Sequence, residues 1–455
     1  MLFPYYRYIA PAWYFHLPGA MCWADYRRMS PETQALIAYD AGYPTPDGAL
    51  ADAAWQAWLK GFVETDPSVC LDPQSLRLTP ADNYRFLRRY LHPFWSWYAL
   101  ALRLLSLANP IRELRAFAGQ IGVRRIDPHQ TFRPHAEALQ AYDSPLLREQ
   151  PLVSVIIPTL NRYAYLADVL RDLERQDYPH FEVVVVDQSV PYNPDFYASF
   201  QLRLRLIRQE EKALWLARNT AIKAAQGEYL LFFDDDSRVA ADWISMHLKA
   251  LDYFVADMGS GISLSAIGAK VPESYGQFRW GDQVDTGNAL IRRKIFESVG
   301  LFDRQFERGR QGDGEFGLRT YLAGFRNVSN PLSGRLHLKV GEGGLRQMGH
   351  WDAFRPKSWL APRPVPSVLY LVRKYFGRRA AFQSLLIGVP PSLMPYRLKR
   401  KPHLLVLGAL LVIPLAPLVL WQVWRSWRIA SRMLREGAKI EQLTDRHQGN
   451  QGINT

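Results

Sequence analysis

Cysteine is almost missing from this chain: Cys22 and Cys70 are the only two in 455 residues. Two thiols cannot build a disulfide framework, and neither stands at zinc spacing from a histidine, so a disulfide-free chain suited to a reducing cytoplasm is expected. No Gly-x-Gly-x-x-Gly or Walker run follows the first strand-like segment, which argues against a dinucleotide fold and a P-loop. An unbroken apolar leader is absent as well. Pro4, Pro11 and Pro18 interrupt residues 1–20, and export is not expected. With 48% hydrophobic and 22% charged residues the chain is neither disordered nor a multi-span membrane bundle.

Acidic charge is scarce in one region. The net charge is +13, yet between residues 366 and 440 thirteen Lys and Arg stand against Glu436 alone, so nearly the whole excess lies there. Those cations bracket an apolar stretch, and the remaining chain is close to neutral, which disfavours a nucleic-acid binder. Residues 404–421 carry no charged or polar side chain, and a helix reaching Trp424 would measure ~31 Å, enough to cross a bilayer core. Pro414 and Pro417 interrupt it, and Arg or Lys clusters flank both ends, so a re-entrant or interfacial segment on the cytoplasmic face of the plasma membrane is preferred over a span. Trp421, Trp424 and Trp427 suit the headgroup level.

The length predicts two or three units. Residues 1–150 read as an aromatic-rich, mainly helical accessory region, with helix-like patches at 31–41 and 82–118 and a polar linker at 127–145. The run from Phe94 to Leu107 either packs on the next domain or lies on a bilayer surface. Residues 151–362 form a catalytic-type α/β domain, 363–440 a membrane-associating segment and 441–455 a flexible tail. From Pro151 onward, apolar runs at 153–157, 183–186, 202–207 and 229–233 alternate with helical stretches at 164–175 and 213–225, the pattern of a mostly parallel sheet covered on both faces. Ligands of such sheets bind beyond the strand carboxyl ends, where the tips 158–162, 187–189 and 234–236 converge. Three consecutive aspartates, Asp234, Asp235 and Asp236, need a compensating cation, and hard oxygen ligands suit Mg2+ or Mn2+ beside a diphosphate.

In order along the chain stand Val153-Ser154-Val155-Ile156-Ile157-Pro158-Thr159-Leu160-Asn161-Arg162, Val184-Val185-Val186-Asp187-Gln188-Ser189, Ala217-Arg218-Asn219 and Phe233-Asp234-Asp235-Asp236. The region 151–344 resembles a family 2 glycosyltransferase. The resemblance implies the Rossmann-like GT-A fold, an inverting mechanism and a nucleotide diphosphate-sugar donor. It places Pro158, Thr159, Asn161, Arg162, Asp187, Gln188, Arg218, Asn219, Asp234 and Asp235 on the donor, and Asp236 with His337 on the metal. Gln188 stands where the family usually has Asp, which leaves the base open. Asp285-Thr286-Gly287-Asn288 resembles the acceptor-side strand, and Asp313 keeps the place of the catalytic base although Gly312 replaces the usual Glu before it.

Asp313 also fits a helix N-cap, and Glu315 either contacts acceptor or is a first-turn carboxylate. Trp280 is a candidate stacking platform for an acceptor sugar or a packing anchor. Lys339 is a weaker phosphate candidate, and 341–344 reads as a loop able to close over donor. Gln347-Met348-Gly349-His350-Trp351 has the spacing of a processive synthase motif with His350 in place of Arg, and single-sugar transfer is expected. The expected activity is therefore inverting, metal-dependent transfer of one sugar to a lipid-linked glycan in bacterial surface polysaccharide assembly. Its rival is a noncatalytic membrane scaffold that keeps the transferase fold.

Overall fold

The computed structural model describes residues 1–127, 135–266, 276–341, 343–345, 353–356, 358–394, 410 and 413–443. Residues 347–351, most of 404–412 and most of the 441–455 tail lie outside them, as do 128–134 of the expected linker. The chain divides into two compact units, Met1–Ala141 with Pro272–Trp280, and Tyr142–Val271 with Gly281–Thr455.

The first unit is helical. Pro46–Leu59, Pro80–Tyr90, Pro93–Leu105 and Pro110–Ala118 each begin with proline at the first turn, where its missing N–H leaves no donor unsatisfied. Thr79 closes a capping box with Asp82, and the single helical patch expected over 82–118 is divided at Pro93 and Pro110. Tyr6, Trp13, Trp23, Trp55, Trp58 and Phe86 pack edge to face into one aromatic core. Phe94, Trp97, Leu105 and Leu107 remain exposed on and just beyond Pro93–Leu105. The expectation of unpaired thiols is corrected: Trp23–Ala24 pairs antiparallel with Cys70–Leu71, and Cys22 and Cys70 beside this pairing are joined in a disulfide.

The second unit is built on a twisted sheet. Its strands are β1 (Val153–Thr159), β2 (Phe181–Asp187), β3 (Leu204–Arg208), β4 (Tyr229–Phe233), β5 (Ser237–Val239), β6 (Met258–Ser265), β7 (Asn288–Arg292) and β8 (Asn327–His337), in the order β3-β2-β1-β4-β7-β6-β8-β5. Pairing is parallel from β3 to β4, then antiparallel at β4/β7 and β7/β6, parallel at β6/β8 and antiparallel at β8/β5. Six of these eight strands therefore run in one direction, so the sheet is mostly parallel as expected, with β7 and β5 reversed.

Every residue of β1 and β4 is buried, as their continuous apolar runs require. Val155, Ile157, Val183, Val185, Leu231 and Phe233 face α1 (Tyr163–Glu174) and α3 (Trp243–Tyr253) in one core. On the opposite face lie α2 (Leu214–Ala224) and a cluster of Phe232, Phe296, Phe302 and Phe316. Phe316 belongs to α4 (Gly312–Leu322).

Helices α5 (Pro366–Tyr375), α6 (Gly377–Ser392) and α7 (Ala416–Glu436) follow. They are fastened to the sheet unit. Tyr370 Oη donates to Asp303 (3.0 Å), Ser367 Oγ both accepts from Arg310 N–H and donates to Arg310 C=O (2.9 Å each), and Lys439 N–H reaches Asp303 (2.9 Å). Among the described residues no helix is long and apolar enough to cross a membrane.

Replacing Cys22 and Cys70 together by serine is expected to lower the stability of the first unit by about 2–4 kcal/mol, since the bridge closes a long loop. A urea midpoint unchanged from the parent would show that the bridge contributes nothing.

Candidate functional site

Strand β4 delivers three carboxylates to one turn, and three arginines from other elements meet them. Asp234 accepts from Arg218 of α2 (3.2 Å) and Arg335 of β8 (2.7 Å). Asp235 accepts from Thr159 Oγ1 (2.8 Å) and Arg162 (2.9 Å). Asp236 stands 3.1 Å from the same Arg162 nitrogen and 3.3 Å from His337 Nε2. Burial pushes the Asp235 carboxyl up to about 6, partly offset by Arg162. Burial also presses Asp236 upward, but the His337 hydrogen bond and the charges of His337 and Arg162 outweigh it and hold the carboxyl below its usual range.

One ligand atom each from Asp234, Asp236 and His337 lies within 4.8 Å of the others. Two hard carboxylates and an imidazole fit Mg2+ or Mn2+, with positions left for phosphate oxygens. Asp234 thus joins the two residues expected to hold the metal. Arg335 was not foreseen, although it precedes His337 by two residues on one strand and therefore shares its face. It also reaches Asp285 (3.3 Å). A Cβ on Gly287 would collide with the Arg335 guanidinium and the Asp234 carboxylate, so the glycine is what lets this pair close.

Asp234, Asp236 and His337 line a cleft open to solvent, together with Pro158, Arg162, Arg218, Asp235 and Asp313. Asp313 sits in the first turn of α4, and its Oδ1 accepts from Gly314 N–H (2.8 Å). It is not the N-cap. Gln311 holds that position with a left-handed φ of 74° and no side-chain cap. Burial raises its pKa and the Asp285 charge adds to this, while Gly314 N–H, Arg310 and Arg218 oppose. Sequence reasoning missed Lys212, Trp215, Thr286, Glu307, Arg308 and Arg310 in the wall. Glu307 caps α2 from a distance, accepting from Leu214 (2.6 Å), Trp215 (3.1 Å) and Leu216 (3.3 Å).

Several residues named from sequence lie behind the cleft rather than in its wall. Thr159 orients Asp235. Asp187 is saturated by Ser189 N–H and the hydroxyls of Tyr163 and Tyr197 (2.7–2.8 Å). Asn161, at φ 54°, receives Val190 N–H (2.9 Å) and donates its own N–H to Ser189 (2.8 Å), tying the β1 and β2 tips. Asn219 exchanges two bonds with Phe302 (3.0 Å each). Gln188 Oε1 accepts from Ala213 N–H (2.7 Å), and its buried Nε2 has no partner among the described residues.

The acceptor-side assignments are corrected. Asn288 is fully buried, its amide bonded to the carbonyls of Ile262 and Ser333 and its oxygen to Trp243 and His247. Glu315 is likewise buried, held by Arg319, Lys374 (3.2 Å) and Tyr375 (2.6 Å). Trp280 belongs to the first unit, 3% exposed, with Nε1 donating to Glu64 C=O (3.0 Å), and acts as the packing anchor. Lys339 does not line the cleft. Of the expected 341–344 loop, residue 342 lies outside the description, and Gly344 N–H is tied to Leu160 C=O (2.8 Å).

Glu315→Ala empties a buried site and takes from the half-buried Arg319 and Lys374 a carboxylate that both contact, and is expected to cost about 3–5 kcal/mol in a denaturation curve. An unchanged curve accompanied by a raised acceptor KM would restore Glu315 to the acceptor side.

The model of the family described as Glycosyl transferase family 2 matches residues 154–296. The chain is 32% identical over 105 residues to "Putative glycosyltransferase EpsH" of Bacillus subtilis, covering 22% of this chain and 30% of that protein. It is 33% identical over 105 residues to "Putative teichuronic acid biosynthesis glycosyltransferase TuaG" of the same organism, covering 22% and 42%. The matches span less than half the length of these curated relatives. Residues 1–349 of S. aureus TarS, solved in complex with UDP-GlcNAc, overlay with a TM-score of 0.43 and 19% identity, covering 63% of this chain and 92% of that one. Residues 154–296, which carry Asp234, Asp235 and Asp236, are thus similar to glycosyltransferase family 2.

Proposed function

We propose that the protein transfers one sugar, with inversion, from a nucleotide diphosphate-sugar to a hydroxyl of a glycan acceptor, using Mg2+ or Mn2+. The observation that carries this reading is the sharing of one cleft by Asp234, Asp236, His337 and the carboxylate of Asp313. Bound between Asp234, Asp236 and His337, the cation would supply positive charge to the leaving diphosphate. Pro158 and Arg218 line the donor side. Lys212, Arg308 and Arg310 add positive charge to the wall.

Asp313 takes the proton of the acceptor hydroxyl as its oxygen forms the bond to the anomeric carbon. The bond from that carbon to the phosphate oxygen breaks on the opposite face, and its electron pair leaves with the diphosphate. Bacterial surface polysaccharide assembly is supported by the relatives named for teichuronic acid biosynthesis and for poly(ribitol-phosphate) glycosylation. A lipid-linked acceptor at the cytoplasmic face of the plasma membrane is the setting we propose.

Asp313→Asn is expected to reduce transfer about 10²–10⁴-fold while calorimetric binding of UDP, dTDP or GDP with Mn2+ stays as in the parent. The folded pKa of Asp313 is raised, so its ionised form destabilises the fold above that pKa and the Asn variant should not melt earlier. Transfer by the Asn variant at the parent rate would remove Asp313 as base.

The working base is ionised, so kcat/KM of the parent should fall as pH drops through the raised pKa. Its acid limb should lie above the range of an ordinary aspartate. Chelation, or Asp236→Asn, is expected to abolish diphosphate binding. Binding indifferent to both would end the metal-dependent reading.

A further inference from the structure

Helix α7 has two unlike long faces. Val419, Gln422, Ser426, Ala430 and Met433 are buried, and that side is locked by hydrogen bonds. Arg363 Nε reaches Gln422 (3.0 Å), Ser426 Oγ donates to Pro364 C=O (2.6 Å) and Arg373 donates to Trp427 C=O (3.1 Å). Trp427, expected at a headgroup level, instead packs between Phe382 (4.8 Å) and the Arg373 guanidinium (4.2 Å).

The opposite side is apolar and cationic together. Leu420 is 67% exposed and Trp424 52%, with Trp421 beside them. Arg425 lies over the Trp421 ring and Arg428 over Trp424, each at 4.7 Å, and Arg432 and Arg435 continue the line. A second segment joins this face. Gln422 Nε2 donates to Trp359 C=O (2.6 Å) and Arg425 to Leu360 C=O (2.5 Å), which fixes two further side chains beside the helix, 68% and 65% exposed. Glu436, the sole acidic residue of α7, is paired with Lys439 (3.3 Å).

We infer that Trp359, Leu360, Leu420, Trp421 and Trp424, with Arg425, Arg428, Arg432 and Arg435, form a peripheral docking face for an anionic lipid bilayer, with α7 lying flat in the headgroup layer. Indole rings with an apolar body and a polar edge sit at that depth, and arginines stacked on them extend to lipid phosphates. Charge complementarity chooses the occupant. Four arginines attract a negatively charged leaflet, whereas a second copy of the same face would set arginine against arginine. The attachment is peripheral: the buried stripe of α7 is occupied by its own protein and cannot turn to lipid. This inference stands apart from the transferase reading, because its test measures no transfer.

The full-length protein is floated with vesicles of phosphatidylcholine alone and of phosphatidylcholine with phosphatidylglycerol. Binding is expected to the anionic vesicles at least tenfold more strongly than to neutral ones, and to weaken with added salt. Arg428→Glu with Arg432→Glu, and separately Trp424→Ser and Trp359→Ser, should each reduce it at least tenfold, with melting temperature and diphosphate binding unchanged. Trp359 lies outside the helix, so its variant tests the face even where a change in α7 disturbs folding. The inference is overturned by absence of flotation with anionic vesicles, or by flotation that all three well-folded variants retain. Salt-sensitive retention on DNA, or a dimer that Trp424→Ser dissolves, with no vesicle binding in either case, would equally overturn it.

Discussion

Negative charge concentrated at the carboxyl end of β4 is the constraint around which the second unit is arranged. Asp234, Asp235 and Asp236 share one turn, with Asp285 close by. Two like charges at 4 Å repel by about 4 kcal/mol in a partly buried setting, so such a turn exists only where cations are built in. They come from three places: Arg162 after β1, Arg218 on α2 and Arg335 on β8. Because each arginine arrives on a different element, satisfying the charge also fixes where those elements stand. The cleft is a by-product of that electrostatic closure.

Three consecutive aspartates imply a cation, and the cation need not be a metal. Arginine neutralises the outer oxygens, yet Asp236 keeps an oxygen 3.3 Å from His337, and Asp234 contributes another within reach. The guanidiniums hold the carboxylates in place, and the His337 side is where a cation would bind. Arg335 is central to this division, since it is buried and touches both Asp234 and Asp285.

The sheet was legible because burial on both faces leaves a simple trace. Tyr229–Phe233 is recovered residue for residue, and Val153–Thr159 and Phe181–Asp187 extend the expected runs by a few residues at their ends. Strand direction was not legible: an apolar run carries no sign, and β7 pairs antiparallel with β4. Within the site, residues presented by strand tips toward solvent were readable as donors of chemistry. Asn288, Glu315 and Asn219 were not readable as scaffold, because what distinguishes a buried amide or carboxylate from a catalytic one is its partners. Those partners, Trp243, His247, Tyr375 and Phe302, lie far away in sequence. The bonded pair Cys22 and Cys70 was missed for the same reason, being 48 residues apart with no spacing rule to join them.

Gly312 shows how a departure from a family pattern can be local accommodation rather than loss. A Cβ at that position would strike the indole of Trp215, which is held by its own bond to Phe306 C=O (3.1 Å) and carries the Arg218 guanidinium on its face at 5.1 Å. The glycine therefore makes room for an aromatic ring that supports Arg218, and Arg218 in turn pairs with Asp234. The neighbouring Asp313 keeps its place in the wall of the cleft, raised in pKa by burial, and Gln311 opens the helix in a left-handed conformation. What is removed at Gly312 is thus replaced by a chain of contacts from α4 through Trp215 and Arg218 to the aspartate turn, which ties the helix that bears Asp313 to the acidic turn through packed and charged groups.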